Sequence, residues 1–369
     1  MSDTAFEKEW LVTLRQTKPS EMQPDSVTAP RIPHKSDLRE TKELRYGYAT
    51  KIVEKIGRNA ENFRLTAFET STLLIVPMSC LEVGGLLDST TKHRAELLWT
   101  LRDIANLVGH YVHGSNQDRR DNRTSSSDRP AETVHRPSPL GSSNQQQVAD
   151  SAPETSHEDS CIFMPTAVGK VAHILPCSWS DSVASAGKTM VSLVGSRPFL
   201  SEETIDRLCT ILCNSLDGSD RCWNKIRMND QLCYEWPHAL FGLKCLGIKP
   251  LDAQNAEVEI QFNWLKRRLG KPTDKISILG SNSMQEIVSS NSMQEMVEEQ
   301  IRFGDNNNPG PNAHIPITSG RVITLAMSSD DAENCKSAID LQWHLVQIAA
   351  MSGGAEYPDL LPVLKYFGA

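Results

Sequence analysis

A histidine, an asparagine and a helical segment in the middle of the chain follow one another in an order that could support hydrolytic chemistry. His173 stands directly before a short apolar stretch that ends in proline, and Asn224 follows a tryptophan. A helical pattern then opens at Asn229 or Asp230. A neutral histidine can accept a proton from water, and a divalent cation can stabilise the charge that develops on a phosphate group. The order of histidine, asparagine and helix makes residues 161–264 the segment around which the chain is organised.

This segment resembles the fungal proteins that carry an HNH endonuclease domain. The resemblance rests on AHILP at 172–176, WNKIRMNDQLCYEW at 223–236 and FGLKCLGIKP at 241–250. It implies a ββα-metal core, in which His173 is the general base and Asn224 braces the hairpin that carries it. The function implied is metal-dependent endonuclease cleavage of phosphodiester bonds in nucleic acid, which would make the chain a hydrolase.

One position departs from the family pattern. Cys233 occupies the place at which those proteins carry the histidine of the helix. A thiolate can bind zinc, but it suits magnesium poorly. His238 is a weaker candidate ligand, because five residues turn an α-helix by about 500° and direct its side chain away from that of Cys233. Asp220 and Asp230 are the nearest carboxylates, and helix capping explains Asp230 better than metal binding does.

Two functions therefore stay open. The first is an active HNH endonuclease with magnesium or zinc as its cofactor, and the intact pair His173 and Asn224 favours it. The second is a catalytically degenerate HNH-fold protein that needs no metal and serves as a nucleic-acid or protein binding module. Cys233 favours this second function.

Composition limits how the chain could meet its partners. The formal net charge is −8, so the chain as a whole is not attracted electrostatically to nucleic acid. A local basic group is the weak candidate for such contact, and the solvated end of a strand is its alternative interpretation; the group is Lys266, Arg267 and Arg268. Nine cysteines without a CxxC pair indicate reduced thiols. The absence of a long apolar run and of a signal pattern predicts an intracellular protein without a membrane partner, in nucleus or cytoplasm.

Changes in composition divide the chain into four parts. Residues 1–36 are rich in proline, serine and charge, which predicts a disordered N-terminus. Apolar residues recur at helical spacing over 37–113 and predict a helical region whose protein partner stays unknown. Residues 114–159 lack aromatic residues and predict a disordered linker between two independently folded parts. The HNH nuclease-like domain then spans 160–356, with a surface loop at about 270–312.

The predicted fold class is α+β. The ββα-metal core would carry a helical insertion and extra antiparallel strands, in addition to the N-terminal helical region. The insertion opens at Ser201, a helix cap followed by two glutamates. Residues 256–265 alternate between apolar and polar and predict a half-buried strand with a wet face, for which 321–327 is a candidate partner. Two near-identical octapeptides, at 281–288 and 290–297, indicate a duplication in the surface loop.

Overall fold

A computed structural model of the chain describes residues 38–57, 63–127, 160–164, 167–278, 292–305 and 317–362. The α-helices in these ranges are α1 (Leu38–Gly57), α2 (Ala67–Ile75), α3 (Met78–Leu81), α4 (Arg94–Ser127), α5 (Val183–Ser192), α6 (Glu202–Cys213), α7 (Asp230–Glu235), α8 (Met293–Asp305) and α9 (Ser329–Ser352). The strands are β1 (Lys170–His173), β2 (Lys225–Met228), β3 (Phe241–Pro250), β4 (Asn255–Trp264) and β5 (Val322–Ser328). Among these helices none is both long enough and apolar enough to cross a membrane. The predicted disordered N-terminus lies outside the described residues.

The strands form two antiparallel sheets, which confirms the α+β class. β1 pairs with β2, from Lys170 opposite Met228 to His173 opposite Lys225. β3, β4 and β5 form a second sheet with β4 in the middle, so the predicted pairing of the two later strands is also confirmed. The predicted helical insertion is α6, whose cap Ser201 accepts a hydrogen bond from the Thr204 amide at 3.3 Å.

The predicted wet face of β4 is wrong over the second half of the strand. Glu257 and Glu259 are partly exposed, as the alternation predicts. Gln261 and Asn263 are buried, with 1% and 2% of their surface exposed. The two side chains bond to each other, since the Asn263 amide donates to Gln261 Oε1 at 3.3 Å. Covering a strand on its second face requires distant parts of the chain, and alternation within the strand does not report them.

The predicted linker begins too early. Helix α4 continues to Ser127, well past residue 114. Tertiary contacts hold this extension. The helix packs so closely on Pro176 at Gly114 that an added Cβ would lie only 2.7 Å from Cβ of Pro176. Further along, the Asp118 carboxylate accepts a hydrogen bond from the Cys177 amide at 2.7 Å. Polar composition therefore concealed a helix that is stabilised from outside, and residues 128–159 lie beyond the described residues.

The described residues form one hydrophobic core, which corrects the prediction of two independently folded parts. Buried side chains from α1, α2 and α4 belong to the same cluster as those from the sheet and α9. Helix α9 is buried along most of its length and packs against both β3 and α2. The turn at Gly195 also packs closely on α4, since a Cβ on this glycine would lie 2.2 Å from the Asp103 carbonyl oxygen. The N-terminal helices are thus part of the framework around the site.

The predicted surface loop at 270–312 is largely structured where it is described. The Phe68 amide donates to the Pro272 carbonyl at 3.0 Å, and the Ile276 amide donates to the Leu65 carbonyl at 2.8 Å. The end of the second octapeptide enters α8, which packs against α1. Its apolar residues Met293, Met296 and Val297 are buried at helical spacing, which explains the helix. The first octapeptide lies outside the described residues.

Candidate functional site

His173 is the last residue of β1, and the backbone around it is fixed from two sides. Its strand partner is Lys225, and the next amide along the chain, that of Ile174, donates to the Asn224 carbonyl at 2.8 Å. On the other side, Nε1 of Trp236 donates to the His173 carbonyl at 3.1 Å. Trp236 follows the last residue of α7, which packs against both strands. A strand pair and a short helix therefore hold the histidine in place.

Asn224 clamps the turn that follows His173. Its Oδ1 accepts from the Leu175 amide at 2.8 Å, while Nδ2 donates to the Leu175 carbonyl at 2.8 Å and to the Ser219 carbonyl at 2.7 Å. The residue is fully buried. All three hydrogen bonds act on backbone groups, so Asn224 positions the turn and leaves the chemistry to other side chains. The structure thus brings together His173 and Asn224, which are 51 positions apart in the chain.

Asp220 is the direct partner of the His173 ring. Its Oδ1 lies 3.0 Å from Nε2 of His173 and 2.9 Å from Nζ of Lys225. The hydrogen bond from His173 is the main cause that lowers the pKa of Asp220 to about 2, with Lys225 adding to the effect against partial burial. Solvent reaches all three side chains, because those of His173, Lys225 and Asp220 are 16%, 26% and 50% exposed.

The ionised state of Asp220 determines the tautomer of His173. A carboxylate can only accept a hydrogen bond, so Nε2 carries the proton. In the neutral ring the lone pair is then on Nδ1. In this way Asp220 orients His173, as carboxylates do for histidines that act as bases or as metal ligands.

Two further groups lie beside His173, and sequence reasoning missed both. A carboxylate oxygen of Asp118, a ring nitrogen of His173 and the sulfur of Cys177 all lie within 4.8 Å of one another. Burial raises the pKa of Asp118, and burial together with neighbouring carboxylates raises the pKa of Cys177 to about 12. Cys177 lies only four positions after His173, so the sequence alone could have marked it as a neighbouring donor. Asp118 gave no such signal, because only the extension of α4 brings it here.

Cys233 lies on α7 as predicted, but it does not lie beside the His173 ring. Its thiol contacts the carbonyl oxygens of Met228 and Lys170 at 3.4 and 3.9 Å. Lys170 is at the opposite end of β1, about 10 Å along the strand from His173. Burial raises the pKa of Cys233 to about 11, and the contacts of its thiol with two backbone carbonyls give it a packing role. The ligand position that the family pattern implies for the helix therefore does not lie beside the His173 ring.

His238 also lies outside the cluster of donor atoms. Its Nδ1 donates to the Tyr234 carbonyl at 2.7 Å, and its ring packs on that of Tyr234 with centroids 4.8 Å apart. These contacts belong to the end of α7 and provide a structural role for the residue. The cluster in the described part of the chain does not include it.

Two of the three residues in the basic group after β4 form ion pairs. Nη1 of Arg267 lies 3.2 Å from Glu356, and Nη2 of Arg268 lies 3.3 Å from Asp274. The Lys266 carbonyl accepts a hydrogen bond from Gln300 of α8 at 2.9 Å. These contacts join the segment after β4 to α8 and to the residues that follow α9, which supports the structural interpretation of the group over a nucleic-acid patch.

Comparison with protein-family models, with curated proteins and with solved structures finds no significant match to this chain. The site must therefore be interpreted from its own geometry.

The donors around His173 suit a divalent cation. Magnesium is bound in proteins by one or two carboxylates, with water and phosphate oxygens completing its shell. Asp118 offers one such carboxylate, since its oxygen lies within 4.8 Å of a ring nitrogen of His173. Nitrogen and sulfur donors from His173 and Cys177 fit zinc, which accepts softer ligands.

Proposed function

We propose that the chain carries a cation-assisted phosphodiesterase site of the HNH type, with His173 as the general base. The observation that carries this proposal is the hydrogen bond between His173 Nε2 and Asp220 at 3.0 Å, at the end of a strand. It leaves Nδ1 of the neutral ring available to accept a proton from water. Asn224 clamps the turn immediately beyond, so the base sits on a rigid support.

The other residues of the site position the base and the substrate. The charge of Lys225, partly exposed and 2.9 Å from Asp220, would attract a phosphate group. Asn224 and Trp236 hold the backbone around His173 through hydrogen bonds and act as positioning residues. When bound, a divalent cation supplies stabilisation of the charge on the phosphate oxygens, and Asp118 would provide its carboxylate ligand.

The arrangement of secondary structure supports the HNH assignment. Two antiparallel strands, β1 and β2, are followed by the short helix α7, which packs against both. His173 lies on the first strand and Asn224 directly precedes the second. This is the order of elements that a ββα-metal core requires.

A catalytically degenerate binding module is the second candidate. The position of Cys233 favours it, because the thiol that the helix supplies contacts backbone carbonyls at the end of β1 away from His173. In that case the contacts of His173, Asp220 and Asn224 stabilise the turn, and no cofactor is needed.

Nicking of supercoiled plasmid in magnesium, with a parallel assay on structured RNA, separates the two candidates. We expect wild type to nick and His173→Ala to lose about 10²- to 10⁴-fold in rate, the usual contribution of a general base. His93→Ala is the matched control, because His93 is exposed just before α4 and lies outside the site. Absence of cleavage by wild type on both substrates, together with retention of nucleic acid on a filter, would support the binding module.

A further inference from the structure

Three donor atoms of different chemistry converge at His173 from three separate elements. Asp118 comes from α4, His173 from the end of β1, and Cys177 from the short 3₁₀ turn Cys177–Trp179. Their oxygen, nitrogen and sulfur atoms lie within 4.8 Å of one another. Ligand atoms around a tetrahedral zinc ion stand about 3.3–3.7 Å apart, given metal–ligand distances of about 2.0–2.3 Å. Side-chain movements of about 1 Å would therefore bring the three donors into a coordination sphere.

The supports that metal ligands require are already present. Metal-binding histidines usually donate their second ring nitrogen to a carboxylate, and His173 donates Nε2 to Asp220 at 3.0 Å. Ligating carboxylates are themselves hydrogen-bonded, and Asp118 accepts from the amides of Cys177 and Ser178 at 2.7 and 3.2 Å. These amides fix the Asp118 carboxylate beside the Cys177 backbone. A mixed set of oxygen, nitrogen and sulfur suits zinc better than magnesium, which prefers oxygen alone.

We propose that Asp118, His173 and Cys177 form a zinc site, and that zinc bound there inhibits hydrolysis. The zinc–nitrogen bond uses the lone pair of His173 that would otherwise accept a proton from water. Binding forms a zinc–sulfur bond, and the thiol proton leaves to the buffer without any change in oxidation state. The inhibitory half of this inference rests on the proposed function, whereas the zinc site itself does not.

Binding is tested on the full chain with zinc in a chelator-buffered titration, and with cobalt(II) as a spectroscopic substitute. Wild type should bind one zinc ion, and the cobalt form should show the near-ultraviolet charge-transfer absorption of a thiolate ligand. Cys177→Ser should lose this absorption and bind zinc at least about tenfold more weakly, the lower end of the effect of losing even an outer partner. Cys213→Ser is the matched control, since it removes a thiol of α6 outside the cluster. Asp118→Asn gives a second variant, which should also weaken zinc binding if Cys177→Ser fails to fold.

Nicking in magnesium with and without added zinc tests the inhibitory half. Each protein is compared with its own rate without zinc, and we expect zinc to slow wild type and Cys213→Ser but not Cys177→Ser. Stoichiometric zinc binding by an inactive wild type would uphold the site and overturn both the inhibition and the proposed function. Magnesium-dependent nicking without zinc binding, or equal loss of the cobalt signal in Cys177→Ser and Cys213→Ser, would overturn the zinc site while leaving the proposed function intact.

Discussion

The two ends of the β1–β2 strand pair share one small scaffold, and His173 at one end has different neighbours from Cys233 at the other. At the His173 end, Asp220 bonds both to the ring and to Lys225, and all three side chains remain partly exposed. At the other end, the thiol of Cys233 is neutral and contacts two backbone carbonyls, one of them from Lys170. The position in the helix at which the family pattern expects a ligand is thus a packing position here. The donors that do reach His173 come from outside the strand pair and its helix.

This difference shows that a ligand position cannot be assigned from a motif alone. Helix α7 extends only from Asp230 to Glu235, and its packing places Cys233 at the start of β1. Asp118 and Cys177 reach His173 because α4 and the turn after β1 are joined by hydrogen bonds. Under the proposed function, the site keeps its histidine and takes its cation ligands from elements outside the family pattern.

The largest effect should follow removal of the clamp at the His173 end. Asn224→Ala leaves one backbone amide and two carbonyls inside the protein without their partner, and it creates a cavity. We expect the free energy of unfolding to fall by about 3–5 kcal/mol, measured by denaturant titration. Asn214→Ala, at an exposed asparagine after α6, should change it by less than about 0.5 kcal/mol. A similar small loss in both variants would show that the clamp does not support the site.

Substitution of Cys233 by histidine tests directly whether the two ends of the β1–β2 strand pair differ as described. In Cys233→His, the larger imidazole must enter the space in which the thiol contacts the Met228 and Lys170 carbonyls. We expect a loss of about 1–3 kcal/mol in unfolding free energy from overpacking, and no gain in magnesium-dependent nicking. Cys233→Ala, which removes the thiol without adding bulk, is the control for stability. An increase in nicking by Cys233→His would reverse our interpretation and identify α7 as the source of a ligand.

The smallest effect concerns the charge on Asp220. Because its pKa is lowered from 3.8 to about 2, the stability it contributes is present above about pH 4 and is lost as the pH falls through about 2. Half of its side chain is exposed, so this contribution is about 1 kcal/mol at most. Wild type should exceed Asp220→Asn in unfolding free energy at about pH 5, and the difference should shrink towards about pH 2. Asp181→Asn, at an exposed carboxylate, measures the general effect of acid on the fold. A difference independent of pH would mean that the charge of Asp220 is not responsible.

The amino-acid sequence by itself determined the local elements. The cap at Ser201 fixed the start of α6, and the alternation over 256–265 fixed β4, because capping and periodicity depend on neighbours within a few residues. The order of His173, Asn224 and the helix after Asn229 was also readable in this way. These features gave the α+β class and the position of the histidine at a strand end.

Only the tertiary structure decided which side chains surround that histidine. Asp118 lies 55 positions before His173 in the chain and is brought to it by a helix whose polar composition resembles a linker. Asp220 became its partner because the Asn224 clamp brings the backbone at Ser219 and Leu175 together. Cys233 was directed away by the packing of a helix only six residues long. Such contacts depend on how distant segments bury their apolar faces together, and the local pattern of residues does not encode that arrangement in a readable form.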